Sequence, residues 1–275
     1  NIQHNMINGC YHMKKNSSTK DLSLSANERL FFESISPFKP KKYKNLKPSG
    51  LKIYTFHAGF KKKTNDLLII IFDEVATSSS VYSKTYTPSC PIIWDKKYNK
   101  GKVKALIVNS GNANAHTGKK GIKIIDEYVS YLCKTINCKK SQILVSSTGV
   151  IGELFDPKLI IRQINKIKKI ECSDVFSAAK SIMTTDTFPK IAIKSIKING
   201  ITFKIYGIAK GSGMISPNMG TMLAYIFIDT HVPKNLLKKI MKGNLDYTFN
   251  SISVDSDTST SDTLVLFSIN KNKIN

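Results

Sequence analysis

Arginine is almost absent from a chain that is otherwise strongly basic. Of 42 basic residues, set against 19 acidic ones for a formal net charge of +23, Arg29 and Arg162 are the only arginines. Proteins that read nucleic acids favour arginine, because its planar guanidinium makes paired hydrogen bonds to phosphate and guanine. The lysines are also spread along the whole chain. We therefore interpret the charge as a solvated basic surface that attracts anionic small molecules, with a non-catalytic nucleic-acid-binding protein as the alternative.

The sequence also lacks the spacings that hold metal ions or disulfide frameworks. No two cysteines form a C-x-x-C pair, the histidines form no H-E-x-x-H arrangement, and the number of cysteines is odd. These patterns predict no metal site and a protein of a reducing compartment, the cytoplasm. The cysteines are Cys10, Cys90, Cys133, Cys138 and Cys172.

Long hydrophobic runs are missing as well. No apolar run approaches the roughly 20 residues that a transmembrane helix requires, so the sequence predicts no membrane partner. With 275 residues, of which 41% are hydrophobic, the chain is long enough to bury one large core or two smaller ones. Residues 1–33 carry polar clusters without periodicity and predict a disordered leader, with Met13 as a candidate start.

Strand-like and helix-like segments alternate beyond residue 37. Apolar residues at helical spacing predict helices, and short β-branched runs predict strands. Asn199-Gly200 predicts a tight hairpin turn, and Asp156-Pro157 and Ser173 each mark a helix start. The mixture predicts an α+β architecture of β-sheets covered by helices. The strands are predicted over 51–56, 67–72, 103–108, 143–146, 191–198, 202–208, 222–228 and 263–269, and the helices over 121–135, from 157, from 173 and over 233–241.

The segment 210–223, which reads KGSGMISPNMGTML, places Thr221 directly after Gly220 and before an apolar run. A threonine hydroxyl is a weak nucleophile unless a base lies beside it. One source of that base is the threonine's own α-amine, freed by cutting the preceding peptide bond. Gly220 suits such a cut, because glycine adopts backbone angles closed to other residues. The alternative interpretation is a glycine-rich turn that leads into a strand.

Three other polar segments are candidates for a site. Ser147-Thr148-Gly149 follows a predicted strand, where amides and a hydroxyl can stabilise an oxyanion; otherwise it is an ordinary turn. The threonine run 184–187 ends a predicted helix, with Asp186 as a structural cap. The run 109–114 has the small residues of a phosphate-binding loop without its lysine and glycine spacing, so we interpret it as a structural loop near the site.

In sequence order, these segments resemble the ornithine acetyltransferase family, the glutamate N-acetyltransferases of arginine biosynthesis. Members of that family cut themselves before a threonine and use it as the nucleophile. Six motifs accompany the Gly-Thr segment in the order of the family, which is far more specific than any one motif. They are SISP (34–37), TNDLL (64–68) with FDE (72–74), VNSGNANA (108–115), STGVIG (147–152), IMTTDT (182–187) and VDSDTSTSD (254–262).

The resemblance implies a stacked, αββα-like α+β fold and a catalytic centre built on self-cleavage. It places the cleavage site between Gly220 and Thr221 and makes Thr221 the catalytic nucleophile. It assigns Thr148 and Gly149 to the oxyanion hole. The reaction that it implies is a ping-pong acetyl transfer through an acetyl-threonine ester.

The resemblance also implies the substrates and the residues that bind them. It assigns substrate binding to Thr184, Lys210 and Thr221, with N-acetylornithine as acetyl donor and glutamate as acceptor. No cofactor is implied, and acetyl-CoA stays open as a second acetyl donor. The alternative within the same chemistry is a self-cleaving, aminopeptidase-like amide hydrolase, in which water replaces the second amine.

The resemblance finally implies how the chain is divided. Residues 34–220 correspond to an α-chain, and residues 221–275 correspond to the start of a β-chain. The two cleaved chains are expected to assemble as a heterotetramer of two α and two β chains. The family's C-terminal part extends well beyond residue 275, so we expect the sequence to be truncated there and to lack a glutamate and chain-terminal polar residues of the substrate site.

Overall fold

The computed structural model describes residues 43, 45–198, 200–215, 222–255 and 257–269. Within these residues the chain forms eight strands and five α-helices. In chain order they are β1 (Leu51–Phe56), β2 (Leu67–Tyr82), α1 (Cys90–Tyr98), β3 (Lys102–Asn112), α2 (Gly118–Ile136), β4 (Ile143–Val150), α3 (Lys158–Ile164), α4 (Val175–Ser181), β5 (Lys190–Ile198), β6 (Ile201–Lys210), β7 (Leu223–Ile228), α5 (Lys234–Leu245) and β8 (Thr263–Ser268).

The eight strands form one hydrogen-bonded network in the order β4-β3-β2-β8-β7-β6-β5, with β1 paired to β2. Strand β2 belongs to both halves of this network. Its first part pairs with β1 and β3, and its last part, from Thr77 to Tyr82, pairs with β8. The register of β2 against β3 shifts between Ile71 and Ala76. Such a shift bends a strand, so one chain segment can pass from one half of the network into the other.

The two halves pack face to face around a shared apolar layer. Phe72 of β2 lies with its ring centroid 5.0 Å from Phe267 of β8 and 6.3 Å from Phe227 of β7. Phe227 and Phe267 stack on each other at 5.2 Å. Buried side chains of β1–β4 and of β6–β8 join in this one cluster, which therefore lies between two stacked layers of strands.

Helices cover both outer faces of this stack. The other faces of β1–β4 pack against α1, α2 and α3, and the other faces of β6–β8 pack against α5. In α2, buried residues recur at helical spacing on the side that faces the strands. The predicted α+β fold of stacked β-layers covered by helices is confirmed. The buried residues of α2 are Gly121, Ile124, Ile125, Tyr128, Val129, Leu132 and Cys133.

Several predicted details also hold. Strands β5 and β6 form the predicted hairpin, with Ile198 opposite Ile201 and Gly200 at φ +82°. Asp156 accepts the N–H of Lys158 at 2.9 Å, beside the predicted helix start, although the N-cap of α3 is Pro157. Asn199 and the predicted leader, 1–33, lie outside the described residues. No helix in the part of the chain that the structure describes is long and apolar enough to cross a membrane.

Other details differ from the prediction. Helix α1 was not predicted, although proline near a helix start is well tolerated and Ser89 precedes Pro91 there. The helix predicted from Ser173 begins two residues later, at Val175, because Asp174 is its N-cap and accepts the N–H of Ser177 at 2.8 Å. The run 109–114, interpreted as a loop, continues β3 as far as Asn112. Pairing with β4 outweighs the weak strand propensity of these small polar residues.

The aromatic contact between the two layers yields a stability prediction. Phe72→Ala removes the ring that contacts both Phe227 and Phe267, and should lower the free energy of unfolding by about 3–5 kcal/mol. Urea unfolding followed by circular dichroism measures this loss. Tyr86→Ala, which removes a fully exposed ring, is the control and should leave the midpoint almost unchanged. Equal effects in the two variants would contradict the face-to-face packing.

Candidate active site

A lysine and a threonine from opposite layers meet near the carboxyl ends of β6 and β4. The Nζ of Lys210 donates a hydrogen bond to Oγ1 of Thr148 over 2.8 Å. Both residues are buried, at 2% and 3% exposure. Thr148 lies on β4, in the half of the network around β2 and β3, whereas Lys210 ends β6 in the other half. This hydrogen bond therefore joins the two layers at one end of the stack.

The direction of this hydrogen bond fixes the role of the threonine hydroxyl. A lysine ammonium has only donors, so Oγ1 of Thr148 must be the acceptor. The hydroxyl proton of Thr148 is then available for another acceptor, and among the described residues it has none. A cation that donates to the same oxygen also polarises the O–H bond. Thr148 is thus arranged to donate to an oxygen atom that enters the site.

Gly149, the next residue, fits a place that no other residue can occupy without strain. Its φ is +132°, and a Cβ atom there would lie 2.3 Å from the carbonyl carbon of Gly111. The parallel pairing of β3 and β4 sets Gly111 opposite Gly149 and Ser110 opposite Thr148. The polar run at the end of β3 thus packs directly beside the Thr148–Gly149 pair, close to the candidate site as predicted.

Burial makes Lys210 an unusual lysine. Loss of hydration lowers its pKa from 10.5 to about 8, and the nearby carboxyl groups of Asp186 and Asp262 offset only part of this effect. Lys190 and Lys61 lower the pKa further by charge repulsion. Near neutral pH the side chain is therefore mostly charged but can release its proton at little cost. Such a group can bind an anion or exchange a proton.

Asp186 ties the threonine run to the end of β6. Its buried carboxylate accepts hydrogen bonds from the backbone N–H of Gly211 at 2.8 Å, from that of Thr184 at 3.2 Å and from Lys190 Nζ at 2.6 Å. Burial alone would raise its pKa, but the charge of Lys190 and these hydrogen bonds hold the pKa below its usual value. The sequence-based interpretation of Asp186 as a structural cap agrees with these bonds.

Thr184 itself is exposed, and the structure shows no direct contact between it and Lys210. Its loop is joined to the segment after β6 through Asp186 and through a 2.8 Å hydrogen bond between Thr185 Oγ1 and Ser212 Oγ. The backbone of Thr184 is therefore connected to the candidate site through the carboxylate of Asp186. Its hydroxyl is open to the surface.

Gly220 and Thr221 lie outside the described residues, as do residues 216–219, and the described chain resumes at Met222. Met222, the residue after Thr221, is buried, and its N–H donates to Oδ1 of Asp262 at 2.7 Å. Strand β7 begins at Leu223, which pairs with Lys210. The peptide bond that follows Thr221 thus adjoins the strand position of Lys210.

Asp262, like the hydrogen bonds of Asp186, was missed as a site feature by sequence reasoning. It ends the motif 254–262 and is completely buried just before β8. Burial raises its pKa to about 8, against the lowering effects of the Met222 N–H, Ser259 and Lys210. The signal that could have revealed it is an aspartate placed directly before an apolar strand, where a charge is costly to bury.

The described ranges hold no group of three or more histidine, cysteine, aspartate or glutamate residues that could bind a metal ion. The candidate site therefore consists of a lysine, a threonine, a glycine and two buried carboxyl groups.

The sequence profile of the ArgJ family matches residues 52–274, a span that contains all of these groups. The chain belongs to the ArgJ family. This result confirms the resemblance that the motifs indicated. Thr148, Gly149, Thr184, Lys210 and Thr221 all lie within the matched span.

Curated relatives of the ArgJ family cover most of this chain. The arginine biosynthesis bifunctional protein ArgJ of Rhizobium meliloti is 40% identical over 238 residues, which are 85% of this chain and 58% of the relative. The protein of the same name from Bartonella henselae is 41% identical over 226 residues, 81% of this chain and 55% of the relative. The chain thus spans little more than half the length of these relatives.

Solved structures share the fold. The crystal structure of the ArgJ protein of Bacillus halodurans is 31% identical, with a TM-score of 0.57 over 64% of this chain and 92% of that one. Ornithine acetyltransferase of Mycobacterium tuberculosis, crystallised with ornithine, is 22% identical, with a TM-score of 0.54. Both support the α+β fold, and the first also agrees with membership of the ArgJ family.

The glycine at 149 can be tested against a matched glycine. Gly149→Ala and Gly152→Ala both place a side chain at positive φ, which costs about 1–3 kcal/mol, but only at 149 does the new Cβ meet backbone atoms. Gly149→Ala should therefore cost clearly more unfolding free energy than Gly152→Ala, measured by urea unfolding. Equal losses would show that the close contact with Gly111 is unimportant.

The depressed pKa of Lys210 predicts a pH dependence of stability. Between about pH 8 and 10.5 the unfolded lysine still binds a proton that the folded one has released, so this residue makes stability rise with pH in that window. Lys210→Met should be comparatively more stable below pH 8 and should lose that rise. The difference between the unfolding free energies of parent and variant, measured from pH 6 to 10.5, reports it. A difference independent of pH would contradict the buried position.

Proposed function

We propose that this chain carries the nucleophile and oxyanion-binding parts of an acetyltransferase that moves acetyl from N2-acetylornithine to glutamate in arginine biosynthesis. The observation that carries the proposal is the buried Lys210–Thr148 hydrogen bond, located beside Gly149 and beside the start of β7. The names of the curated relatives support the pathway, since they are arginine biosynthesis bifunctional proteins.

The first step of the proposed chemistry is self-cleavage before Thr221. The hydroxyl of Thr221 attacks the carbonyl carbon of Gly220, the peptide bond breaks as an ester forms, and water hydrolyses that ester to leave the carboxyl group of Gly220. The freed α-amine of Thr221 then serves as the base for its own hydroxyl. Met222 is fixed at the start of β7 by its hydrogen bond to Asp262. A nucleophile that precedes a fixed, buried residue has little freedom to move away, which favours reaction.

Acetyl transfer then takes place in two steps. Thr221 Oγ1 attacks the acetyl carbonyl carbon of N-acetylornithine and gives its proton to the α-amine. The carbon–nitrogen bond breaks, the α-amine passes the proton to the leaving amine, and ornithine departs from an acetyl-threonine ester. The amine of glutamate attacks this ester, the carbon–oxygen bond breaks, and the threonine hydroxyl regains a proton.

Thr148 and Gly149 are the proposed oxyanion hole for both steps. Each attack leaves a negative oxygen on the acetyl carbon, and the free hydroxyl proton of Thr148 together with the amide of Gly149 can bind it. A donor of this kind contributes about 3 kcal/mol to the transition state. Lys210 supports Thr148 by donating to its oxygen.

Lys210 and Thr184 are the proposed contacts to the amino-acid part of the substrate. Both proposed substrates carry a carboxylate, and a buried ammonium whose hydration has already been lost binds an anion strongly. The high positive charge of the chain favours the approach of such substrates. Thr221 completes the proposed substrate contacts.

The remaining parts of the proposal concern the assembly of the chains, their location in the cell and the acetyl donors. We propose that residues 34–220 form the α-chain-like part, that residues 221–275 are the start of the β-chain, and that two α and two β chains assemble as a heterotetramer in the cytoplasm. The transfer needs no cofactor. Acetyl-CoA is the proposed donor of a second activity, in keeping with the word bifunctional in the names of the relatives.

Self-cleavage gives the first test of the proposal. Intact mass spectrometry should find two fragments cut between Gly220 and Thr221, and Thr221→Ala should abolish both the cut and acetyl transfer, because no hydroxyl remains to attack. The transfer assay is made on the full-length protein with a complete C-terminal part; it follows labelled acetyl from N-acetylornithine to glutamate and should give parallel lines in initial-rate plots. An active preparation that is uncut would refute self-processing. Release of free acetate without transfer would support the hydrolase alternative.

A second test separates the oxyanion hole from the nucleophile. Thr148→Ala should reduce kcat of the cleaved enzyme roughly 100- to 1000-fold with little change in KM, because one donor to the transition state is lost. Thr148→Ser keeps the hydroxyl and serves as the matched control, which should retain most of the activity. If cleaved Thr148→Ala turns over like the parent, Thr148 is only a turn residue.

A further inference from the structure

Asp262 is a buried carboxyl group that binds the backbone of Met222, the residue after Thr221. Its Oδ1 accepts the N–H of Met222 at 2.7 Å, and the N–H of Thr263 donates to the carbonyl of Met222 at 3.0 Å. Both backbone polar groups of Met222 are therefore held by residues 262 and 263. The N–H held by the carboxyl group belongs to the peptide bond that joins Thr221 to Met222.

Burying the carboxyl group of Asp262 costs free energy, which argues that this group has a specific role at its position. Asp262 is completely buried, and a carboxyl group moved from water into a protein interior loses free energy unless hydrogen bonds replace its hydration. Strand β7 could begin with a backbone acceptor, as most strands do. Burial raises the pKa of Asp262 to about 8, which reflects the cost of placing a charge there.

Asp262 also lies where the other groups of the site converge. Strands β6, β7 and β8 are neighbours, and Lys210, Leu223 and Thr263 occupy matching positions along them. Asp262 attracts the charge of Lys210. One carboxyl group thus sets the position of the chain just after Thr221 relative to the lysine that contacts Thr148.

We infer that Asp262 is a positioning residue for Thr221, which it holds in place through the backbone N–H of Met222. The inference rests on the proposed role of Thr221. A displacement of about 1 Å between a nucleophile and its target can lower a rate about 100-fold, even when all reacting groups remain present. Asp262 therefore acts on the rate without touching the substrate.

The opposite end of β7 supplies a matched control. Asp229 follows that strand, is also largely buried, and accepts the N–H of Lys204 at 2.7 Å. Its carboxylate performs the same structural task as Asp262, binding one backbone N–H, but at the far end from Lys210. Loss of Asp229 should lower stability without displacing Thr221.

The experiment compares Asp262→Ala, Asp262→Asn and Asp229→Ala with the parent. Rates of cleavage come from a time course of intact masses, and kcat and KM come from acetyl transfer by the cleaved enzyme. Asp262→Ala should slow cleavage and lower kcat about 10- to 100-fold with KM changed less than about threefold. Asp262→Asn keeps an acceptor of the same shape and should restore both rates to within about threefold. Asp229→Ala should keep parental rates.

Three results would overturn the inference. They are parental rates in Asp262→Ala, an equal loss in Asp229→Ala, and a loss in Asp262→Asn as large as in Asp262→Ala. If Asp262→Ala does not fold, Asp262→Glu takes its place, since it moves the carboxyl group by one methylene and should lower kcat with KM retained. A parent that neither cuts itself nor transfers acetyl would refute the proposed function and the inference together, whereas an active parent with unaffected Asp262 variants refutes the inference alone.

Discussion

The structure depends on one strand that belongs to two layers. Because β2 pairs with β1 and β3 before its bend and with β8 after it, the two halves of the network are covalently joined and must fold over each other. Phe72 lies within the register shift between Ile71 and Ala76 and packs against the aromatic rings of the other half. That packing sets the separation of the layers. Thr148 and Lys210, which are 62 positions apart in the sequence, meet only because of it.

The close approach of the layers leaves little water around the groups that meet at the end of the stack. Within one layer, Gly149 and Gly111 bring β4 and β3 into backbone contact where a side chain on Gly149 would collide. A polar group without water must find a protein partner. Lys210 finds Thr148, and Asp186 finds Lys190 and two backbone amides. The hydroxyl proton of Thr148 has no acceptor among the described residues. This proton is what makes the Thr148–Gly149 pair suitable for binding an oxyanion.

Sequence patterns predicted most strands and helices to within a few residues, because their apolar spacing reflects which side is buried. The failures lie where tertiary pairing outweighs local propensity. Strand β2 continues through a polar stretch to Tyr82 because it pairs there with β8, and β3 continues through the run after Asn109 because it pairs there with β4. Thr148, Gly149 and Lys210 were predicted from motifs. The buried carboxyl group of Asp262 was not, because its partner Met222 lies 40 residues away and no local spacing reveals such a contact.

The two buried titratable groups of the site also depend on each other. Burial lowers the pKa of Lys210 and raises that of Asp262, so that both values lie near 8. The attraction between the two charges acts against both shifts but offsets only part of each. A carboxylate that enters the site next to Lys210 adds a second attraction, which favours the ammonium form. Binding of an anionic substrate therefore takes up a proton whenever the pH lies near or above the pKa of the free lysine. The same charge strengthens the donation to Thr148, so under the proposed function a carboxylate beside Lys210 prepares the hydroxyl that is proposed to receive the oxyanion.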